Sequence, residues 1–303
     1  MKIIFFISVM LIAFMFGCSP RQMMLRNISD NLAKESTVFT GDDDPQLVRD
    51  ALPFTIKFHE ILLNQDNKNP QLHLSTGKLF ILNAQVFLMM QADTMSSDPI
   101  QANALRQRAK SHFLRGRDYI LNGLDLIHPG IKAEIRSGSV DSALSRVSLA
   151  DTSYLYWASA AWLGAVNADR RDFALGLTAR RPLSMLQKTV ELKSNFGNGS
   201  AHEALSIYLA SAPSSLGGDK EKANYHFQKA LQYSSNNRAS TFVTGAKSFA
   251  LQNNDKSRFS ELLSQAINID PAKDSTQTLL NTVYRDYAKW LLDNKGKLFK
   301  EDE

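Results

Sequence analysis

Apolar residues recur at steps of three and four along most of the chain. Leu72, Leu79, Phe80, Phe87 and Met90 form one such series, which would keep one face of a helix apolar. No stretch of the sequence shows the sustained two-residue alternation that is typical of a half-buried strand. The hydrophobic pattern therefore predicts an all-α fold.

Helix-capping and helix-breaking residues divide this pattern into separate helices. Asp44-Pro45 combines a capping residue with proline at the first helical position and predicts a helix that runs towards Leu63. Another helix is predicted over residues 109–126 and ends at the sequence His128-Pro129-Gly130. Further breaks are predicted at residues 95–99, 181–182 and 197–199.

The most apolar segment covers residues 154–166, with the sequence YLYWASAAWLGAV. A helix that is apolar around its whole circumference is buried by neighbours on every side, so we predict that it is central. It carries an aromatic cluster of Tyr154, Tyr156, Trp157 and Trp162. These side chains are expected to pack in the core, and the alternative is that they line a ligand groove, because pockets are mostly apolar and aromatic.

Two predicted helices carry the same apolar triplet, with gaps of four and three residues. The triplets are Ala223, Phe227 and Ala230, and then Phe259, Leu263 and Ala266. Their last members lie 36 residues apart (230 to 266), close to the tetratricopeptide period of about 34. We therefore predict a tetratricopeptide-like solenoid or bundle of helix pairs, ended by a capping helix over residues 275–292.

An earlier repeat is predicted around Gly77, which occupies the close-packing position of a first helix. Its partner helix begins later than the repeat consensus expects, so an insertion of about 20 residues is predicted over residues 90–106. Long insertions between repeat helices tend to carry contacts. Met90, Met95 and Ile100 are therefore candidates for the core of a partner interface.

The N-terminus has the layout of a secretory signal. Lys2 precedes the apolar run of residues 3–16, and Gly17 and Cys18 follow it. The run is too short to span a hydrocarbon core of about 30 Å. Cys18 is the one cysteine of the chain, and its position resembles a lipoprotein-processing box. We predict a signal peptide over residues 1–17, a lipidated N-terminus and linker over 18–40 with Cys18 acylated, and a single helical domain over 41–303; the alternative for Cys18 is a structural thiol in an uncleaved segment.

Composition and charge add little to this interpretation. Apolar residues make up 44% of the chain and the net charge is +5, without the clustered basic stripe of a nucleic-acid-binding protein. Catalytic templates fail on spacing: His202-Glu203 begins like a zinc-protease helix, but Ser206 stands where the second histidine would be. We predict no enzymatic activity, no metal and no cofactor.

Three segments resemble the T components of TRAP transporters, the TatT family of tetratricopeptide lipoproteins. They are DDDPQLVRDALPF at residues 42–54, GGDKEKANYHFQKAL at 217–231, and FSELLSQAINIDP at 259–271 with the following helix that carries Trp290. The first segment is not a general feature of helical repeats. It therefore indicates this family and not repeat proteins at large.

The resemblance implies a lipid-anchored protein of the cell envelope that faces the periplasm. It implies partners, namely a TRAP solute-binding protein and its permease subunits, and self-assembly as a trimer. It also implies a channel or groove through the bundle for a hydrophobic or acidic ligand. The alternatives are a general peptide- or protein-binding repeat scaffold in envelope assembly or secretion, and an envelope hydrolase with a helical-repeat domain.

Overall fold

The computed structural model describes residues 37–299. The predicted signal peptide, Cys18 and most of the predicted linker lie outside the described residues. Within residues 37–299 every regular element is helical and no strand is present, which confirms the all-α prediction. Ten helices carry the fold: α1 (Pro45–Gln65), α2 (Pro70–Leu82, continued by Asn83–Met89 and Met90–Thr94), α3 (Pro99–Ile127), α4 (Thr152–Ala168), α5 (Arg180–Leu192), α6 (Ser200–Ser211), α7 (Lys220–Tyr233), α8 (Ala239–Gly245, continued by Ala246–Ala250), α9 (Lys256–Ile267) and α10 (Thr278–Asp293).

Aspartate caps begin several of these helices. Asp44 accepts hydrogen bonds from the backbone N–H groups of Gln46 and Leu47 at the start of α1. Asp219 and Asp255 cap α7 and α9 in the same way. These side chains satisfy N–H groups that the first turn of a helix leaves without a partner. The predicted start at Asp44-Pro45 is confirmed.

Helices α2 to α9 pack as four consecutive pairs, α2 with α3, α4 with α5, α6 with α7 and α8 with α9. Ala223, Phe227 and Ala230 are buried on α7, and the second triplet is buried on α9. Helix α10 covers the last pair. The predicted repeat register and capping helix are therefore confirmed.

Glycines allow α2 and α3 to approach each other closely. A Cβ atom on Gly77 of α2 would lie 2.7 Å from the carbonyl oxygen of Gly116 on α3. A Cβ atom on Gly116 would in turn lie 2.9 Å from the carbonyl oxygen of Gly77. Both distances are too short for a side chain, so the predicted close-packing role of Gly77 is confirmed.

The predicted insertion over residues 90–106 is wrong. Residues 90–94 are the last turn of α2, and α3 already begins at Pro99, where Asp98 accepts a hydrogen bond from the N–H of Gln101. Four residues, 95–98, join the two helices. The rest of the segment is helical because α3 extends well beyond a standard repeat helix. Its residues Ala102 and Leu105 are buried.

The array closes upon itself. Leu279 of α10 shares a core cluster with Val48 and Leu52 of α1. On the other side, Asp93 of α2 accepts hydrogen bonds from Lys247 of α8 (3.0 Å) and from the Tyr287 hydroxyl of α10 (2.8 Å). The first and last helices therefore meet, and the inner helices α2, α4, α6, α8 and α10 form a closed ring in which each contacts the next. We refer to the region within this ring as the internal space.

Candidate functional site: a polar cluster inside the closed helical array

The inner helices direct polar side chains towards one another. These residues are Lys78 and Gln85 on α2, Tyr156 and Trp157 on α4, Glu203 on α6, Arg238 just before α8, and Tyr284 on α10. We refer to these seven residues as the central polar cluster. All of them except Glu203 keep part of their surface accessible although helices surround them, so they border the internal space.

Glu203 is the buried anion of the central polar cluster. One carboxylate oxygen accepts hydrogen bonds from the hydroxyls of Ser240 (3.1 Å) and Thr241 (2.8 Å), and the other accepts one from Thr244 (3.1 Å). Arg238 lies 4.0 Å from the carboxylate. A buried carboxylate requires such partners because an unpaired one would be costly. Glu203 therefore fixes the first turns of α8 against α6.

Two tyrosines stand beside this carboxylate. Burial raises the pKa of the Tyr156 phenol, which also feels the nearby charges of Arg238 and Glu203 and hydrogen-bonds Ser200. Burial likewise raises the pKa of Tyr284, whose hydroxyl is hydrogen-bonded to Gln85 and lies within the field of Glu203 and Tyr156. Both phenols consequently stay protonated at neutral pH and can donate hydrogen bonds.

The two cations of the cluster have unused binding capacity. Arg238 donates to the carbonyl oxygen of Gly197 (2.9 Å) and to the Ser200 hydroxyl, while its buried Nε finds no hydrogen-bond partner. Lys78 lies 5.6 Å from the centre of the Trp157 ring. No carboxylate of the described region pairs with Lys78, and burial lowers the pKa of its ammonium group. A buried ammonium group without a counter-charge is unfavourable unless an anion joins it.

A family model for the TRAP transporter T-component matches residues 41–299. The chain belongs to this family. It is also similar to an uncharacterized protein of Treponema pallidum (strain Nichols), with 30% identity over 293 residues that cover 91% of each chain. Membership indicates an accessory role in TRAP transport.

Within the T-component fold, the aromatic cluster predicted on α4 divides between two environments. Tyr154 and Trp162 are 1% and 2% exposed and belong to the core. The Trp162 indole donates to the Thr178 hydroxyl (2.8 Å). Tyr156 and Trp157 are half-buried, pack edge-to-face with ring centres 5.0 Å apart, and border the internal space.

The three residues predicted for a partner interface do not lie together. Met90 is 7% exposed and belongs to the core around Phe242 and Phe259. Met95 is half-buried against the core of the first pairs. Ile100 is 85% exposed on the first turn of α3. Burial thus puts Met90 out of a partner's reach, because residues 90–94 are helix and not a surface insertion.

Several residues of the central polar cluster were not predicted. Glu203 and Arg238 are 35 positions apart in the sequence (203 to 238), and neither lies in a recognisable motif. The one local signal is that Glu203 interrupts the buried stripe of α6 that includes Ala201, Leu205 and Leu209. A charge on the buried face of an amphipathic helix indicates a partner from another element.

Two histidines meet where α6 contacts α7. The Nδ1 atoms of His202 and His226 are 2.7 Å apart. Burial lowers the pKa of His202 to about 4 and also lowers that of His226, so both rings are neutral at pH 7. Across residues 37–299, no group of three or more histidine, cysteine, aspartate or glutamate side chains is arranged to hold a metal ion.

A cavity of about 310 Å³ lies between α7, α8 and α9, and it is lined partly by Asn224, Phe249 and Asn253. In the described part of the chain, no helix combines the length and the apolar character needed to cross a membrane.

Proposed function

We propose that this T component is a non-enzymatic, lipid-anchored accessory protein that faces the periplasm. It docks the TRAP solute-binding protein beside the permease subunits and holds a ligand in the space bordered by the central polar cluster. Family membership supports the transport role. The observation that carries the ligand proposal is the half-buried Lys78, which lies next to Trp157 and pairs with no carboxylate among the described residues.

The ligand class follows from the charges of the cluster. Glu203 already accepts hydrogen bonds from three hydroxyls and lies 4.0 Å from Arg238, whereas Lys78 lacks an anionic partner among the described residues. The walls are aromatic, and the protonated hydroxyls of Tyr156 and Tyr284 are hydrogen-bond donors. A carboxylate on an apolar body matches this combination, because a carboxylate pairs with an ammonium group and accepts from hydroxyls.

Calorimetric titration tests this ligand class. A panel of aliphatic and aromatic carboxylates is titrated into the protein, together with the primary amides of the same skeletons. We expect binding of some carboxylates and not of their amides. Lys78→Met should lower the affinity about tenfold or more, since charge-assisted hydrogen bonds are strong. Lys188→Met removes a half-buried lysine that already pairs with Glu191 and should have no effect; equal binding of acids and amides would contradict the proposal.

Self-assembly, proposed as a trimer, is supported by an exposed stripe on α1. Leu47, Phe54 and Ile61 are 57%, 75% and 58% exposed and lie seven residues apart. Ala51 and the half-buried Phe58 fill the intervening positions, and the Phe54 and Phe58 rings stack at 6.2 Å. Spacings of four and three residues produce an apolar seam of the kind that packs against another helix.

Sedimentation velocity measures self-assembly and docking separately. The protein from residue 19 onward is run alone and with the solute-binding protein encoded beside it. We expect a trimer that Phe54→Glu dissociates and that the control Asn64→Glu, an exposed position on the same helix, leaves intact. A monomer that fails to bind the solute-binding protein at micromolar concentrations would contradict the transporter role. The peptide-binding scaffold, for which the cavity beside α7 offers a site, would then be the better interpretation.

The membrane anchor is proposed at Cys18, where the apolar N-terminal run ends. Two acyl chains hold a protein on a bilayer stably, whereas one holds it weakly. Metabolic labelling with a clickable fatty acid should mark the wild-type protein and not Cys18→Ala, which should accumulate as the precursor. Normal processing and labelling of Cys18→Ala would refute the anchor.

A further inference from the structure

The connection between α4 and α5 presents large apolar side chains to solvent. Phe173 is 81% exposed and Leu177 is 74% exposed. The backbone N–H of Leu177 donates to the carbonyl oxygen of Phe173 (3.0 Å), so the two residues are one helical turn apart and on the same side. We refer to residues 170–180 as the tip.

The base of the tip is held firmly. Leu175, on the opposite side of the turn, packs against the core of the first pairs. Asp172 accepts from the N–H of Leu175 (2.9 Å). Lys110 of α3 bridges Asp172 (2.7 Å) and Asp169 (3.0 Å). Because these bonds fix the backbone, Phe173 and Leu177 cannot fold back into the core.

Three exposed arginines flank the apolar pair along the chain, and none of them pairs with an acidic side chain of residues 37–299. Arg170 donates to the Asn167 side chain (2.8 Å), Arg171 to that of Asn103 (3.4 Å), and Arg180 to the carbonyl oxygen of Ser215 (3.0 Å). All three acceptors are neutral. Lys110 already occupies the neighbouring aspartates, so the guanidinium charges remain available to an external anion.

Ile100 extends the same surface. Asn103 and Gln107 of α3 contact Arg171 and Asp169 of this connection. Ile100 lies one turn before Asn103 and on the face of Gln107, because positions 100 and 107 are two turns apart. Its side chain is 85% exposed. Three apolar side chains and three arginines therefore share one end of the molecule.

We propose that the tip, together with Ile100, docks on the surface of an anionic phospholipid bilayer. Phe173, Leu177 and Ile100 enter the boundary between headgroups and acyl chains, and the arginines bind headgroup phosphates. A protein partner is the less favoured occupant, since a stable interface needs about 800 Å² on each side, which three isolated side chains do not provide. None of these residues belongs to the central polar cluster.

Vesicle flotation tests the proposal with the protein from residue 19 onward, which retains every described residue and omits Cys18. Vesicles of phosphatidylcholine alone are compared with vesicles that also contain phosphatidylglycerol. We expect binding to the mixed vesicles and its loss at high salt. Arg170→Gln combined with Arg171→Gln should weaken binding about 25-fold, because each basic residue near an anionic surface contributes about fivefold.

Matched variants test whether vesicle binding depends on the tip or on any exposed apolar side chain. Phe173→Ser combined with Leu177→Ser should abolish flotation, whereas Tyr225→Ser, which removes an aromatic ring that is 55% exposed on α7, should leave it unchanged. Quenching by brominated lipids gives the depth directly. A Phe173→Trp variant should be quenched more strongly than a Tyr225→Trp variant.

Two results would overturn the proposal. One is equal flotation of the wild type and the Phe173→Ser/Leu177→Ser double variant. The other is evidence that the tip is a protein interface. In that case the double variant, without vesicles, would sediment differently from the wild type or would no longer bind the solute-binding protein. The double variant is also titrated with carboxylates. Because the tip and the central polar cluster share no residue, this titration tests the ligand proposal independently of membrane docking.

Discussion

At the scale of single residues, the distinctive feature is a carboxylate inside a helical repeat protein. Glu203 is 8% exposed and gathers three hydroxyls from one stretch of α8. Repeat helices usually bury small and apolar side chains where they meet. Here the α6–α8 contact is polar, and its geometry depends on hydrogen bonds as well as on packing.

Replacing Glu203 with alanine should destabilise the protein. The substitution leaves the hydroxyls of Ser240, Thr241 and Thr244 without their acceptor, and we expect a loss of about 2–4 kcal/mol in unfolding free energy. Urea denaturation measures it. Glu221→Ala removes an exposed carboxylate from α7 and should change the free energy by less than about 0.5 kcal/mol. Equal stability of the two variants would show that Glu203 is not structural.

His59 should make stability dependent on pH. Burial lowers its pKa from 6.5 to about 4, so the folded protein holds the neutral ring while the unfolded chain takes up a proton below pH 6.5. Stability should therefore fall as the pH drops from 6.5 towards 4, by up to about 3 kcal/mol for this group.

A His59→Gln variant isolates this effect from other groups, because burial also lowers the pKa of His112 and His202 to about 4. Urea denaturation at pH 7.5 and pH 4.5 should show a smaller pH-dependent loss in the variant than in the wild type. Identical losses would mean that His59 is protonated in the fold.

At the scale of helices, small residues set the distance between neighbours. Ala230 of α7 is 1% exposed. A Cβ atom added to Gly199 would lie 2.9 Å from the Ala230 carbonyl oxygen, so the backbone before α6 approaches α7 closely at this point. The Ala230 position of the repeat pattern therefore corresponds to a close backbone contact.

Enlarging Ala230 should overpack this contact. Ala230→Leu is expected to cost about 1–3 kcal/mol of unfolding free energy, measured by urea denaturation. Gln232→Leu, which alters an exposed position on the same helix, is the control and should be nearly neutral. Wild-type stability of Ala230→Leu would refute the register of the repeat.

At the scale of the whole molecule, the closure of the array distinguishes it from an open solenoid. Asp93 accepts hydrogen bonds from Arg106 (2.9 Å), Lys247 and Tyr287, which joins α2 and α3 to the last inner helices. Burial alone would raise the pKa of Asp93, but these three partners together lower it. The interactions of the Asp93 carboxylate with these partners therefore stabilise the fold above pH 3.8, the pKa of this group in the unfolded chain. This stabilisation is lost as the pH falls below that value.

Removing the Asp93 carboxylate should weaken the contacts that close the array while the helix pairs remain folded. Asp93→Ala is expected to cost about 1–3 kcal/mol, less than a fully buried pair because the carboxylate keeps some exposure. Amide hydrogen exchange should accelerate in α10 more than in α6 and α7. Asp286→Ala, which removes an exposed partner of Lys289 on α10, should leave exchange unchanged; uniform acceleration across the array would contradict a local closure.

The sequence by itself determined the features that depend on one or two helical turns. Asp44-Pro45 predicts the start of α1, and the Ala223 and Phe259 triplets predict the register of the repeats, because capping and three- or four-residue spacing are local. Tertiary structure alone decided which face of α4 borders the internal space, since an apolar helix carries no directional pattern. It also decided the meeting of Glu203 with Arg238 and of Asp93 with Tyr287, because small rotations between successive helix pairs accumulate along a solenoid and determine which distant residues come into contact.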